Sequence, residues 1–294
     1  MKLVIAATPK VAIPTIKELS KSHHITLVTQ PDRQAGRGKQ LRSSEIAQIF
    51  PDTLKPDDEL ELQKILQGSD LLITIGYGRI LSNETLQVPR FGGINLHFSL
   101  LPRWRGAAPV QRAIEAGDKK TGVTVFQMDQ GMDTGPIWRQ IEYAIPPGAS
   151  SSDLFDSLSL LGVDAVKASL LDIESSAKPL PQQGQPSIAK KIDKVESVID
   201  WRKSADEIWR KVLAFGANPG VYSTIRGARI KILEVRPIAN IELNLPPGSL
   251  TPEGMVVTGD GAIQLLRLVP AGKSEMQAKD WLNGFKLITG EAFE

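Results

Sequence analysis

The chain of 294 residues contains no cysteine. That excludes disulfides, thiolate metal sites and a cysteine nucleophile, and it suits a reducing cytoplasm, the expected location. Histidine is scarce, with three residues in all. Two of them, His23 and His24, are adjacent ahead of a strand, so no histidine zinc site is expected. Neither sign of charge predominates, since the net charge is only +2. The apolar run KLVIAA near the N-terminus breaks at Pro9 and Lys10, which reads as a first strand and helix rather than a leader or a membrane span. Two nucleotide signatures are missing. AGRGKQ contains Gly-Lys, but a P-loop needs glycine where Arg33 stands and Ser or Thr where Gln40 stands. The turn AATPKVA lacks the spaced glycines of a dinucleotide site.

What is present is ordinary for a globular protein, 41% hydrophobic and 23% charged residues. The length suits one large domain or two moderate ones. Short apolar runs at 2–7, 24–30, 71–78 and 92–97 alternate with helical patterns, which predicts an α/β fold with a Rossmann-like, mostly parallel sheet. Strands are also expected at 121–129 and 137–145, a helix over about 151–175, and a Gly/Arg-rich loop at 31–43. After residue 176 the character changes. SSAKPLPQQGQPSIAKK reads as a linker, and short strands between Gly/Pro turns predict a second, smaller OB-like β-barrel. The expected division is a catalytic domain at 1–178, a linker at 179–199 and a C-terminal domain at 200–294. Ser204 with Glu207 three residues on forms a capping box at the start of the helix SADEIWRKVLAF.

Charge is uneven along the chain. Arg33, Arg37, Lys39 and Arg42 face only Asp32, and eight basic residues between Arg202 and Arg236 face Asp206, Glu207 and Glu234. Such clusters suit a polyanion, or simply a solvated surface. Trp201, Trp209 and Tyr222 could stack bases or fill the core.

The chemistry is concentrated in INLHFSLLPRWRGAAP. Residues two apart on a strand share a face, so Asn95 and His97 project together while Ile94 and Leu96 face the core. Asp133, in the loop QGMDTGPI, can approach His97 if strands 92–97 and 121–128 are neighbours. Active sites of parallel sheets lie beyond the carboxyl ends of the strands. Asn, His and Asp suit acyl transfer to an amine. An amide N–H stabilises the oxyanion, an imidazole carries the proton, and a carboxylate orients the imidazole. The same three residues also suit a strand end, a satisfied polar group and a turn, and spacing alone leaves both readings open.

NLHFSLLPRWRGAAP and QMDQGMDTGPI together resemble the 10-formyltetrahydrofolate-dependent formyltransferase family. QPDRQAGRGKQL, IDW (199–201), NPG (218–220) and GDGAIQLL…PAGKSEM resemble its branch that formylates initiator methionyl-tRNA for translation initiation. The resemblance implies Asn95, His97 and Asp133 as the catalytic set. It implies a reduced folate along Ser99, Leu100, Leu101 and Pro102, with the pterin on Tyr77, Gly78, Arg79, Ile80 and Leu81. It implies tRNA contacts from Arg33, Arg37, Lys39 and Arg42, no metal, and a monomer. Phe98 stands where the family has proline or a small residue, Ala7 where glycine is common, and Gln34 where proline is common. Two alternatives remain at this point: a formyltransferase acting on a small amine such as a glycinamide ribonucleotide or an aminosugar, and a non-catalytic RNA-binding protein on the same scaffold.

Overall fold

The structure is a computed structural model that describes residues 1–35, 40–216, 219–238, 241, 244–288 and 290–294. Arg37 and Lys39 therefore lie outside the described residues, as does Asn218 of the NPG turn. The chain divides into two compact units. Unit 1 comprises Met1–Pro109, Lys119–Ile145 and Leu154–Lys190, and unit 2 comprises Val110–Asp118, Pro146–Asp153 and Lys191–Glu294. The last boundary falls between Lys190 and Lys191, whereas residues 110–118 and 146–153, expected within the catalytic domain, group with unit 2.

Unit 1 begins with β1 (Lys2–Ala7), α1 (Ile13–Leu19) and β2 (His24–Val28). The stretch expected to be a loop is in part a hairpin, with arms β3 (Arg33–Ala35) and β4 (Gln40–Arg42). Next come α2 (Glu45–Ile49), α3 (Glu59–Leu66), β5 (Leu71–Ile75), α4 (Asn83–Leu86) and β6 (Gly93–His97). The side chains of Ser44, Asp58 and Ser82 accept hydrogen bonds from the third amide of α2, α3 and α4, the usual reason helices start at such residues. The chain continues through β7 (Arg105–Gly106), α5 (Pro109–Glu115), β8 (Lys120–Gln127), β9 (Ile137–Ala144), α6 (Ser151–Glu174) and β10 (Ile188–Ala189).

The main sheet has the order β2-β1-β5-β6-β8-β9. From β2 to β6 every pairing is parallel, and β8 and β9 add an antiparallel edge. The inner parallel strands β1, β5 and β6 are buried on both faces over most of their length, which is why they read as continuous apolar runs, whereas the edge strand β2 is only partly buried. β5 is buried at all of its positions. The antiparallel pairing of β8 with β9 follows from the short 128–136 connection, too short to cross over to a parallel neighbour. β2 and β5 flank β1 on opposite sides, so the strand order reverses there, and the crevice beyond the carboxyl ends of β1 and β5 is where sheets of this kind take ligands.

Besides α5 from Val110 on, unit 2 contains α7 (Ala205–Phe215), β11 (Val221–Ile225), β12 (Ala228–Ile238), β13 (Met255–Val257), β14 (Ala262–Pro270), β15 (Met276–Gln277) and α8 (Ala278–Phe285). Its strands form an antiparallel sheet in the order β11-β12-β14-β13, with β15 on β14. Register shifts between Ile232 and Val235 bend β12, and the sheet curls as an OB-like half-barrel. Ser204 and Glu207 form the expected capping box of α7. Trp201 is core. Its Nε1 donates to Ser223 Oγ at 2.9 Å, and its ring lies 5.3 Å from that of Phe293. Half of the eight-residue basic cluster of this unit is paired with acids, Arg202 with Asp200, Lys203 with Glu207, Arg210 with Asp206 and Arg226 with Glu291.

In unit 1, Leu96 fixes the height of β6. It is 1% exposed, and α6 approaches it so closely that a Cβ on Gly162 would lie 2.6 Å from Leu96 Cδ2. Leu96→Ala is expected to destabilise the protein by about 2–5 kcal/mol, the usual scale for truncating a buried leucine. Urea unfolding monitored by circular dichroism checks this, and a change under about 1 kcal/mol would show that β6 is not anchored there.

Candidate active site

His97 is the last residue of β6 and is 7% exposed. Its Nε2 lies 2.9 Å from the carbonyl oxygen of Trp104. A carbonyl can only accept, so the proton sits on Nε2, and Nδ1 is the free nitrogen of the neutral ring. Nδ1 faces Asp133 Oδ2 at 3.6 Å. The same Oδ2 accepts the Gly106 amide at 2.7 Å. The ring also meets Phe126 edge-on, with centroids 6.5 Å apart. Asn95 shares this face of β6 and is half-buried. No side chain among the described residues competes for its amide. The three residues expected to be catalytic are thus brought together.

The route by which Asp133 arrives differs from a simple sheet-edge approach. β8 runs antiparallel to β6 with Thr124 opposite His97 and Gln127 opposite Ile94. The 128–136 loop therefore leaves at the amino end of β6, and Asp133 reaches His97 by folding back. Two non-glycine residues beside His97 have left-handed backbones, Trp104 at φ 63° and Asp133 at φ 56°. Asp tolerates that region and Trp does not, so Trp104 stores strain of about 1–3 kcal/mol that the surrounding structure must hold. Gly106, at φ 118°, has no room for a side chain, since a Cβ there would lie 2.8 Å from the carbonyl oxygen of Ala189.

Burial pushes the His97 pKa below its ordinary value, and the Asp133 charge and the Trp104 carbonyl only partly offset this. The carboxylate alone would favour the charged form. Burial wins because the imidazole is almost wholly removed from water. His97 is therefore a neutral base at pH 7.

The turn Ser99–Pro102 is tightly tied to the sheet. Thr124 Oγ1 donates to the Ser99 carbonyl at 2.6 Å and accepts the Leu101 amide at 3.2 Å. Gln140 Nε2 donates to the Leu101 carbonyl at 3.0 Å, and Ser99 Oγ donates to the Arg103 carbonyl at 2.6 Å. The Leu101-Pro102 bond is cis. Ser99, Leu101 and Pro102 are buried and Leu100 is half-buried, so this turn offers little more than its edge to a ligand. Phe98 does not obstruct it, since that ring is buried and meets Phe155 edge-on at 5.8 Å.

A cavity of about 300 Å³ opens at the carboxyl ends of β1, β2 and β5. It is lined by Thr8, Gln30, Pro31, Arg33, Arg42, Ser43, Ser44, Gly76, Tyr77 and Gly78. It joins residues that the sequence assigned to two substrates, Tyr77 and Gly78 to the folate, Arg33 and Arg42 to tRNA. Tyr77 contributes backbone, its carbonyl accepting Gln30 Nε2 at 2.9 Å and Thr8 Oγ1 at 3.1 Å. Arg79 is held by Gln30 Oε1 at 3.2 Å and the Asp57 carbonyl at 2.9 Å. Leu81 is buried in the core, whereas Ile80 is 87% exposed. Arg33 and Arg42 are opposite each other across the hairpin. Like charges in that position destabilise a strand pair, so the arrangement favours an anionic guest.

Sequence reasoning missed Gln182. Its Nε2 donates to the carbonyls of Asp133 and Gly135, both at 2.8 Å. Its Oε1 accepts from Arg105 Nε at 3.1 Å and Nη2 at 2.7 Å. Nothing in a Pro/Gln-rich stretch announces such a role.

A buried neutral imidazole, a carboxylate beside its free nitrogen and an amide on the same face can move an acyl group to an amine. The fold and the site together have the character of a Rossmann-like group transferase. Residues 1–168 match the formyl transferase family and residues 191–286 match the formyl transferase C-terminal domain. The chain is 38% identical over 311 residues to a methionyl-tRNA formyltransferase of Coxiella burnetii, covering 99% of this chain and 98% of that one. It is 37% identical over 310 residues to one of Dechloromonas aromatica, covering 100% and 99%. The chain belongs to the formyl transferase family, in its methionyl-tRNA formyltransferase branch. Its fold is similar to that of HypX from Aquifex aeolicus, solved with tetrahydrofolic acid, with a TM-score of 0.70 and 19% identity over 97% of this chain. The match spans about half of HypX, 47% of its length. No helix among the described residues is long and apolar enough to cross a membrane.

The lowered His97 pKa sets a pH dependence. Between its folded value and the ordinary value of about 6.5, the unfolded chain binds more protons than the folded one. The contribution to stability is therefore fully present above the ordinary value and is lost as pH falls through it. Activity that needs neutral His97 is expected to fall on an acid limb that lies below pH ~6.5. A kcat/KM profile checks this, and an acid limb above the ordinary histidine value would contradict it.

Proposed function

We propose that the protein transfers the formyl group of 10-formyltetrahydrofolate to the free amine of methionine on initiator methionyl-tRNA. The observation that carries this reading is the orientation of His97, with Nε2–H on the Trp104 carbonyl and Nδ1 open beside Asp133. The relatives named above carry the same activity in their names.

The step follows from these positions. The amine nitrogen attacks the formyl carbon and forms a C–N bond, and the carbonyl oxygen becomes an oxyanion. The Asn95 amide donates to that oxyanion. His97 Nδ1 takes the proton that the amine sheds, and Asp133 stabilises the resulting imidazolium. The tetrahedral carbon then expels N10 of the folate, which receives the proton from His97. No covalent enzyme intermediate is needed, which fits a chain without cysteine.

Unit 1 is then the catalytic part, and the C-terminal domain helps hold the tRNA. The segment near Tyr77–Leu81 meets the pterin chiefly through backbone and Ile80, and the edge of the Ser99–Pro102 turn meets the rest of the folate. Arg33 and Arg42 contact the phosphates of the acceptor end. Arg37 and Lys39 belong to the same charged stretch by sequence. The enzyme acts as a monomer in the cytoplasm, at translation initiation.

The test mixes purified protein with 10-formyltetrahydrofolate and either charged initiator tRNA or small amines. Formylation of the tRNA is expected, and formylation of a small amine alone would overturn the reading. His97→Ala and Asn95→Ala are each expected to reduce kcat by about 100-fold or more with the fold intact. Near-normal turnover by either would remove that residue from the mechanism. Arg42→Ala is expected to weaken tRNA binding with little change in folate affinity. The slope of log affinity against log salt should fall by about one unit. An unchanged slope would return Arg42 to the solvated surface.

A further inference from the structure

We propose that Gln182 is the positioning residue of the His97–Asp133 pair, locking the Asp133 loop to the strand that presents His97's other partner. The proposal rests on the reading of Asp133 as the partner of His97.

A glutamine side chain has two amide hydrogens and two acceptor sites. In Gln182 all four are engaged, and all by the active-site loops. Both hydrogens hold the Asp133 loop, through the carbonyls of Asp133 and Gly135. Both acceptor sites hold Arg105, through its fork. Arg105 lies between the residue whose carbonyl binds His97 Nε2 and the residue whose amide binds Asp133 Oδ2. One carboxamide therefore joins the two loops that meet the two nitrogens of a single imidazole.

The rest of the segment acts in the same direction. Ser187 Oγ accepts the Trp104 amide at 2.9 Å, and the Ser187 carbonyl accepts the Arg105 amide at 2.9 Å. The Ala189 carbonyl accepts the Ala107 amide at 2.9 Å, and Leu180 bridges to Ile137. The stretch 180–189 is a strap across the catalytic loops. Asp133 needs such a hold because it is carried on the 128–136 loop rather than on a strand, and loop-mounted groups are less accurately placed. The distance it must keep from Nδ1 is short, and a 1 Å misplacement can cost about 100-fold in rate.

The experiment uses the full chain with Gln182→Leu, which removes all four bonds, and Gln182→Glu, which keeps the grip on Arg105 and loses both donors. Asp133→Asn and the Gln182→Leu/Asp133→Asn pair complete a cycle. Steady-state kinetics with charged initiator tRNA and the formyl donor, thermal midpoints and an NMR titration of the His97 ring are measured on each. Both Gln182 variants are expected to lower kcat by about 10- to 100-fold while KM for the donor changes by less than about 2-fold. Gln182→Leu, which changes no charge, should move the His97 titration in the same direction as Asp133→Asn. It should have little further effect in the double variant, since both act through one carboxylate. Normal kcat and a wild-type His97 titration in Gln182→Leu would overturn the proposal, as would effects that multiply in the double variant. If the wild type does not formylate tRNA but the titration shifts as expected, the substrate assignment fails and the positioning role stands.

Discussion

The hydrogen bond from His97 Nε2–H to the Trp104 carbonyl determines the chemistry of the site. Because its acceptor cannot donate, it fixes which nitrogen carries the proton and which is left to work. The bond depends on Trp104 staying in a left-handed backbone that a bulky residue avoids. Its amide is held by Ser187 Oγ, and its neighbour Arg105 is held by the Ser187 carbonyl. Local strain at one residue is thus sustained by a segment more than eighty positions away in sequence. With the ring buried and oriented in this way, desolvation rather than the nearby carboxylate governs its charge.

The fold explains why these parts meet. β6 is the last of the parallel strands, so it has a parallel neighbour on one side and the β8–β9 hairpin on the other. The parallel side places β5, with Gly76–Gly78 beyond its end, next to the ligand crevice. The antiparallel side supplies Thr124, which secures the Ser99–Pro102 turn, and the loop that carries Asp133. The cavity and the His97 ring therefore belong to adjacent strands of one sheet. Strand-mounted groups are held more accurately than loop-mounted ones, and here the loop-mounted member is the one that needs a strap.

Much of this was legible in the sequence, and the reasons for the remainder are physical. Asn95 and His97 stood out because a period of two places them on one face of an apolar strand, a local property. The parallel sheet was legible from continuous apolar runs, and the start of α7 from Ser204 and Glu207. The hairpin at Arg33–Arg42 was not, because its glycines signal a turn and its arms are only three residues each. The antiparallel route of the Asp133 loop depends on strand order, which no local pattern reports. Gln182 was concealed because Pro, Gln and Gly compose flexible linkers as readily as straps. The basic stretch 202–236 overstated its free charge, since Arg226 finds its partner at Glu291, far along the chain.

The central claim is that His97 is neutral at pH 7 with its proton on Nε2. The most direct measurement is a ¹⁵N-detected NMR titration of the histidine side chains in the full-length protein, with His97→Ala to assign the signals. The account predicts a His97 Nε2–H tautomer at pH 7, with protonation at Nδ1 only below the ordinary histidine value. A proton on Nδ1 in the neutral ring, or an imidazolium at pH 7, would contradict it.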